Sequence, residues 1–185
     1  EDVLNNKKLT PVIGQQWKVS GEVMQMDMLD KYTLKVTFAA PKPFFLNNLV
    51  YSGGWLLPKH YLKQFHPLYT SETDLQNKVE TAGFDNWWEL FGQKNNIWGS
   101  VSFSPDRPVL TAFMPVRKNS SRRIYERNPY FWKVDTEGNQ LPYIDRIEST
   151  IISEKEVIQG KIMSGEIDFC GYYTDTKNYP MYRQY

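Results

Sequence analysis

From Ser20 to Phe38 apolar and polar residues alternate with a period of two on both sides of a break at Leu29-Asp30-Lys31. Met24, Met26 and Met28 stand against Val23, Gln25 and Asp27, and the register resumes as Tyr32, Leu34, Val36 and Phe38 against Thr33, Lys35 and Thr37. Successive side chains of a strand point to opposite faces, so this pattern predicts a β-hairpin with one apolar face laid over a core and one wet face. The three methionines read as core filler rather than a soft-metal site: thioethers alone hold only soft ions, and no Cys or His stands near them in sequence.

Elsewhere the pattern is shorter in range. Residues 1–13 read as a short polar helix ending at Thr10-Pro11, and 44–50 as a brief helix after Pro41-Lys42-Pro43. Tyr51-Ser52-Gly53-Gly54-Trp55 follows, where the paired glycine lets backbone pass close to something and the two rings either pack on the turn or stay free to meet a ligand. Pro58 fits the first turn of a helix over 59–65. In 69–96, Thr73-Asp74-Leu75 starts a helix to Ala82, and Asp85 caps a second one that places Trp88 and Phe91 on one face. This pair reads as a helical insertion at an edge. Strands are predicted over 109–116 and 122–127, with a polar turn between them.

The stretch Arg127–Asp145 organises the second half. Asn128-Pro129 forces an extended or turning backbone, and Tyr130, Phe131 and Trp132 cannot all face one side. Those rings and Tyr143 are expected to brace a sheet, so that Trp132→Ala or Tyr143→Ala would cost buried area. Asp135-Thr136-Glu137-Gly138-Asn139 is a turn cluster; it lacks the frame of a calcium loop and reads as a hairpin turn. Residues 144–152 read as a strand, Ser153 and Glu156 as a capping box, Gly165 as a helix stop, and Glu166–Cys170 as a second strand, together a β-α-β unit over 144–170.

Charge and chemistry narrow the function classes. The 185 residues carry a net charge of +1 with no Lys/Arg cluster, which argues against nucleic acid as a partner. Aromatic residues make up 15% of the chain, enough to thicken a core or to line a stacking surface. No catalytic residue is assigned. His60 and His66 are off the spacing for two ligands on one helix face, no acidic residue completes a zinc motif, and both read as surface or capping histidines. Cys170 has no histidine nearby in sequence and reads as a small buried residue at a strand end. No phosphate loop or nucleophile elbow occurs, and no metal or other cofactor is expected.

The run E-R-N-P-Y-F-W-K-V-D-T-E-G-N-Q-L-P-Y-I-D-R-I, followed by M-S-G-E-I-D-F, resembles the extracellular solute-binding proteins of peptide-type ABC importers, the oligopeptide- and dipeptide-binding family. Asp30-Lys31-Tyr32-Thr33-Leu34, Pro41-Lys42-Pro43-Phe44-Phe45-Leu46 and Pro58-Lys59-His60 extend the likeness toward the start. Where many relatives carry G-T-G-P-Y, this chain has Trp98-Gly99-Ser100-Val101-Ser102-Phe103, so a ligand role of that segment does not carry over. The resemblance implies an α/β (α+β) lobe of the type II periplasmic-binding-protein fold, with a mixed sheet, an antiparallel hairpin and a β-α-β unit. Residues 1–185 would form part of the first of two lobes. It further implies a non-enzymatic monomer, outside the cytoplasm, that binds a peptide or another small polar ligand and hands it to an ABC permease. An upstream segment would carry the export signal or lipid anchor. Tyr51, Trp55 and Tyr172 are the residues that this resemblance puts in contact with ligand. Exposed Trp and Tyr also suit sugar rings, so a carbohydrate-binding module or an oligosaccharide-specific member is the alternative.

Overall fold

A computed structural model of the chain describes residues 2–51, 56–96, 104–172 and 174–183, the side chain of residue 51 excepted. It divides into two compact units, Glu1–Pro108 and Val109–Tyr185. Among the described residues no helix is long and apolar enough to cross a membrane.

The first unit opens with turns rather than the expected helix: Thr10 N–H donates to Asn6 C=O (2.7 Å) and Thr10 Oγ1 to Val3 C=O (2.8 Å). The reason lies in Asn6, whose Oδ1 accepts the Lys8 N–H (3.0 Å) and so offers the backbone a local alternative to a helix. Two strand pairs follow. Strands β1 (Lys18–Val19) and β2 (Glu22–Val23) form a short ladder, and β3 (Gln25–Met28) pairs antiparallel with β4 (Leu34–Thr37), Met26 opposite Val36 and Met28 opposite Leu34. The predicted alternation is therefore real: Asp27 and Lys35 face one side, the apolar pairs the other. The burial is not as expected, because Met28 is 80% and Leu34 54% exposed. The wall is closed only at the base. There Phe38 packs edge-on against Phe45 (4.8 Å) in helix α1 (Phe45–Tyr51), and the Lys42 ammonium donates to the carbonyls of Gln15 (3.0 Å) and Lys18 (2.6 Å).

The core of this unit comes from its helices. After Pro58, α2 (Lys59–Leu62) continues as a 3₁₀ turn to Phe65; α3 (Glu72–Thr81) and α4 (Trp87–Asn95) follow. The Ser71 hydroxyl caps α3 by accepting the Asp74 N–H at 3.2 Å. Leu62, Phe65, Val79, Leu90 and Phe91 form one buried cluster, with Tyr61, Phe84 and Trp87 packed against it. Helix α4 begins one residue later than expected, with Asn86 and not Asp85 at its N-cap, so Trp87, Leu90 and Phe91 face inward and Trp88 lies under the Lys8 ammonium at its rim. The segment expected as an edge insertion thus supplies much of the unit's core.

The second unit is an antiparallel meander of β5 (Phe113–Lys118), β6 (Arg122–Arg127) and β7 (Arg146–Thr150), with a bulge between Pro115 and Arg117. Asn128, 3% exposed, fastens its end: Nδ2 donates to the carbonyls of Val109 (3.2 Å) and Thr111 (3.0 Å), while Oδ1 accepts the Tyr130 N–H (3.0 Å). Helix α5 (Lys155–Met163) follows with Glu154 and not Ser153 at its N-cap, so Glu156 stands at N2, one residue short of the N3 position a capping box requires. Gly165, at φ 71, ends α5 as expected: its N–H and that of Glu166 return to Ile162 and Lys161. Glu166–Cys170 does not form the second strand of a β-α-β unit. A strand exists only where a ladder partner exists, and every ladder among the described residues is antiparallel and none includes this segment. A last helix, α6 (Tyr179–Tyr182), completes the unit.

The turn at Asp135 is as expected and self-contained. Val134 bridges Gln140; Asp135 Oδ1 accepts the N–H groups of Glu137 (2.9 Å) and Asn139 (2.8 Å), and Oδ2 accepts from Asn139 Nδ2 (3.0 Å) and the Tyr143 hydroxyl. These donors, Tyr143 first, hold the Asp135 carboxyl well below the usual carboxylate range. A depressed folded pKa adds stability that is present above the unfolded value and is lost as pH falls toward the folded one. In an NMR titration the Asp135 carboxylate is therefore expected to stay ionised well below pH 3.8, the ordinary value, and Tyr143→Phe to raise its midpoint; an Asp135 that titrates like a free aspartate would contradict the turn geometry. The rings on this stretch are not the braces expected of them: Trp132 is 71% and Tyr143 66% exposed, so truncating either removes little buried area in this chain.

Candidate functional site

Of the three expected contact residues the structure describes one fully. Tyr51 is the last residue of α1, its side chain outside the described residues, and Trp55 lies wholly outside them. Tyr172 sits in the loop after α5, 82% exposed, beside an equally open Phe169. That loop is held at both ends. On one side is the glycine stop of α5, where Lys161 pairs with Glu166. On the other, the Asp175 carboxylate accepts the Lys177 N–H (3.0 Å) and the Tyr182 hydroxyl donates to the largely buried Gln159 of α5. Cys170, half-buried, donates its thiol to the Tyr172 carbonyl (2.8 Å). Such a loop, with two open rings, can stack on a solute and exclude water.

The first unit holds a different feature, a cavity of about 440 Å³ between the hairpin and the helices. Trp17, Met24, Met26, Leu34, Leu57 and Phe91 give it apolar walls, and Asp2, Lys59, Lys63, His66 and Tyr69 line it as well. Here sequence reasoning missed a residue. His66, expected as a surface or capping histidine, does cap the 3₁₀ turn Lys63–Phe65, yet it is 2% exposed, with its ring against Trp87 (5.1 Å), Phe91 (5.8 Å) and Tyr69 (5.8 Å). Its Nδ1 accepts the Leu68 N–H (3.2 Å), which leaves the proton on Nε2, 3.2 Å from the Asp2 carbonyl. No sequence signal points to this, since Asp2 and Asn6 lie more than fifty residues away. Beside it the Tyr69 hydroxyl donates to the Asp2 carboxylate, and Lys59 pairs with the same oxygen at 3.8 Å. The Tyr69 bond, aided by Lys59, holds Asp2 below its usual carboxylate range despite partial burial, and Tyr69 holds Lys59 above its own usual value. Among the described residues no cluster of three or more His, Cys, Asp or Glu could hold a metal ion.

Comparison with known proteins places these features. Residues 2–184 match the family described as bacterial extracellular solute-binding proteins, family 5 Middle. A periplasmic alpha-galactoside-binding protein of Rhizobium meliloti is 29% identical over 80% of the chain, and a probable ABC transporter-binding protein of Deinococcus radiodurans 25% identical over 89%. The chain spans 19% and 25% of their respective lengths. Among solved structures, an oligopeptide-binding protein OppA superposes with a TM-score of 0.87 at 34% identity, over 99% of this chain and 29% of that one. The periplasmic binding protein MelB of Agrobacterium fabrum, in complex with stachyose, shares the fold, with a TM-score of 0.59 at 24% identity over 92% of this chain and 22% of that one. The mixture of helices and antiparallel sheet is thus that of a periplasmic-binding-protein lobe, and with all but its outermost residues matched to the family, the chain belongs to the bacterial extracellular solute-binding proteins of family 5.

Proposed function

We propose that the chain forms part of the first lobe of a two-lobed protein that captures a peptide outside the cytoplasm and delivers it to an ABC permease. The observation that carries this reading is the likeness to the oligopeptide-binding protein, the higher in identity and coverage of the relatives above. Hinge closure over the bound solute is the mechanism: the closed form presents a different surface to the transporter, and no bond is made or broken. Main-chain hydrogen bonds hold a peptide backbone while roomy aromatic pockets admit varied side chains. In this reading Tyr51, Trp55 and Tyr172 touch the solute, and the protein works as a monomer, periplasmic or held at the cell surface by a lipid anchor. The alpha-galactoside-binding relative favours a second reading, an oligosaccharide cargo stacked on the same rings.

The test is a thermal-shift and titration screen of the complete two-lobed protein against di- to octapeptides and α-galactosides. Stabilisation by peptides alone supports the first reading, stabilisation by galactosides alone the second, and by neither class overturns both. Tyr172→Ala is expected to weaken the bound solute by about tenfold, the ordinary loss of one well-placed aromatic contact. Because the ring is open to solvent, the melting temperature without ligand should not move.

A further inference from the structure

The cavity is lined by residues of Glu1–Pro108 alone. Its polar groups are unequally engaged. Both ring nitrogens of His66 are taken, Nδ1 by the Leu68 N–H and Nε2 by the Asp2 carbonyl. The Tyr69 hydroxyl proton is spent on Asp2, and the Asp2 carboxylate is neutralised by Lys59. Lys63, one turn beyond Lys59, also lines the cavity; it is exposed, and its ammonium has no ion-pair or hydrogen-bond partner among the described residues. The lysine and aspartate residues of the lining are then two lysines against one aspartate, a net positive balance around mostly apolar walls. A volume of about 440 Å³ falls within the ordinary range for small-molecule sites.

We propose that this cavity binds a small amphiphile with an apolar body and a single carboxylate, the body against Trp17, Met24 and Leu34 and the carboxylate on Lys63 and Lys59. A cationic head would meet two ammonium groups and a carboxylate already in use. A neutral head would leave Lys63 unpaired, so the carboxylate is the head that adds a charge-assisted hydrogen bond.

Octanoate, octanol and octylamine have the same body and differ in the head, which makes them suitable probes for calorimetric titration and thermal shift on the complete two-lobed protein. Octanoate is expected to bind and stabilise, octanol to bind at least tenfold more weakly, and octylamine not to register; tenfold is the value of one such bond. Lys63→Met, at an exposed position, should bring octanoate down to the level of octanol and leave octanol unchanged. Met26→Trp, which fills the chamber from the hairpin side, should abolish both. Equal binding of the three probes, octanoate binding indifferent to Lys63→Met, or no binding at all would overturn the proposal.

Discussion

Leu90→Ala is expected to cost the first unit about 3–4 kcal/mol, the largest effect of any single truncation considered for this chain. Leu90 is 1% exposed and stands in the cluster that joins the helical segment 59–65 to α3 and α4, so its removal leaves a hole bounded by three separate elements. Relaxation can fill such a hole only by moving a helix, and the cost therefore includes a cavity beyond the lost transfer free energy. Urea melts followed by tryptophan emission check it. Five of the six tryptophans fall in Glu1–Pro108, so the signal reports this unit. A midpoint displaced by less than the equivalent of about 1 kcal/mol would show that the helices are not packed on one another as described.

His66→Ala is expected to cost about 3 kcal/mol by a different sum. The ring loses edge contacts to Trp87, Phe91 and Tyr69, and the Leu68 N–H and Asp2 carbonyl lose their partners in a site with little water. His66→Phe separates the two contributions, because it restores a ring of similar size but neither hydrogen bond. It should recover about half of the loss, and a full recovery would mean that the bonds contribute nothing net.

These two residues mark where the sequence was legible and where it was not. The helix that carries Leu90 was foreseen from a cap and an apolar spacing, and only its register slipped, since Asp85 and Asn86 are both competent caps and adjacent. The β3–β4 pairing was equally plain, because a period of two fixes which residues share a face. It does not say whether anything lies over that face, and Met28 and Leu34 proved open. His66 and Asn128 were opaque for one reason: the groups that saturate them come from residues 64 and 17–19 positions distant, and a separation of that kind leaves no local trace. Glu166–Cys170 failed in the opposite way. Its composition suits a strand, but pairing is a property of two segments, and the sequence of one cannot supply the other. Of the expected contact residues, Tyr172 was named only through the resemblance to the family, since an exposed ring in a loop has no periodicity of its own.

The Asp135 turn has a consequence for how the second unit forms. Its hydrogen bonds join residues at most eleven apart, from Gln140 to Pro129, and most join residues two to eight apart. Closing loops of that size costs little chain entropy and takes well under a microsecond per closure, whereas β6 must find β7 across nearly twenty intervening residues. A knot of local bonds between the two strands shortens that search. The turn then acts before the sheet exists, as a pre-formed clasp that lowers the effective contact order of the meander and lets β7 arrive already aimed at its partner.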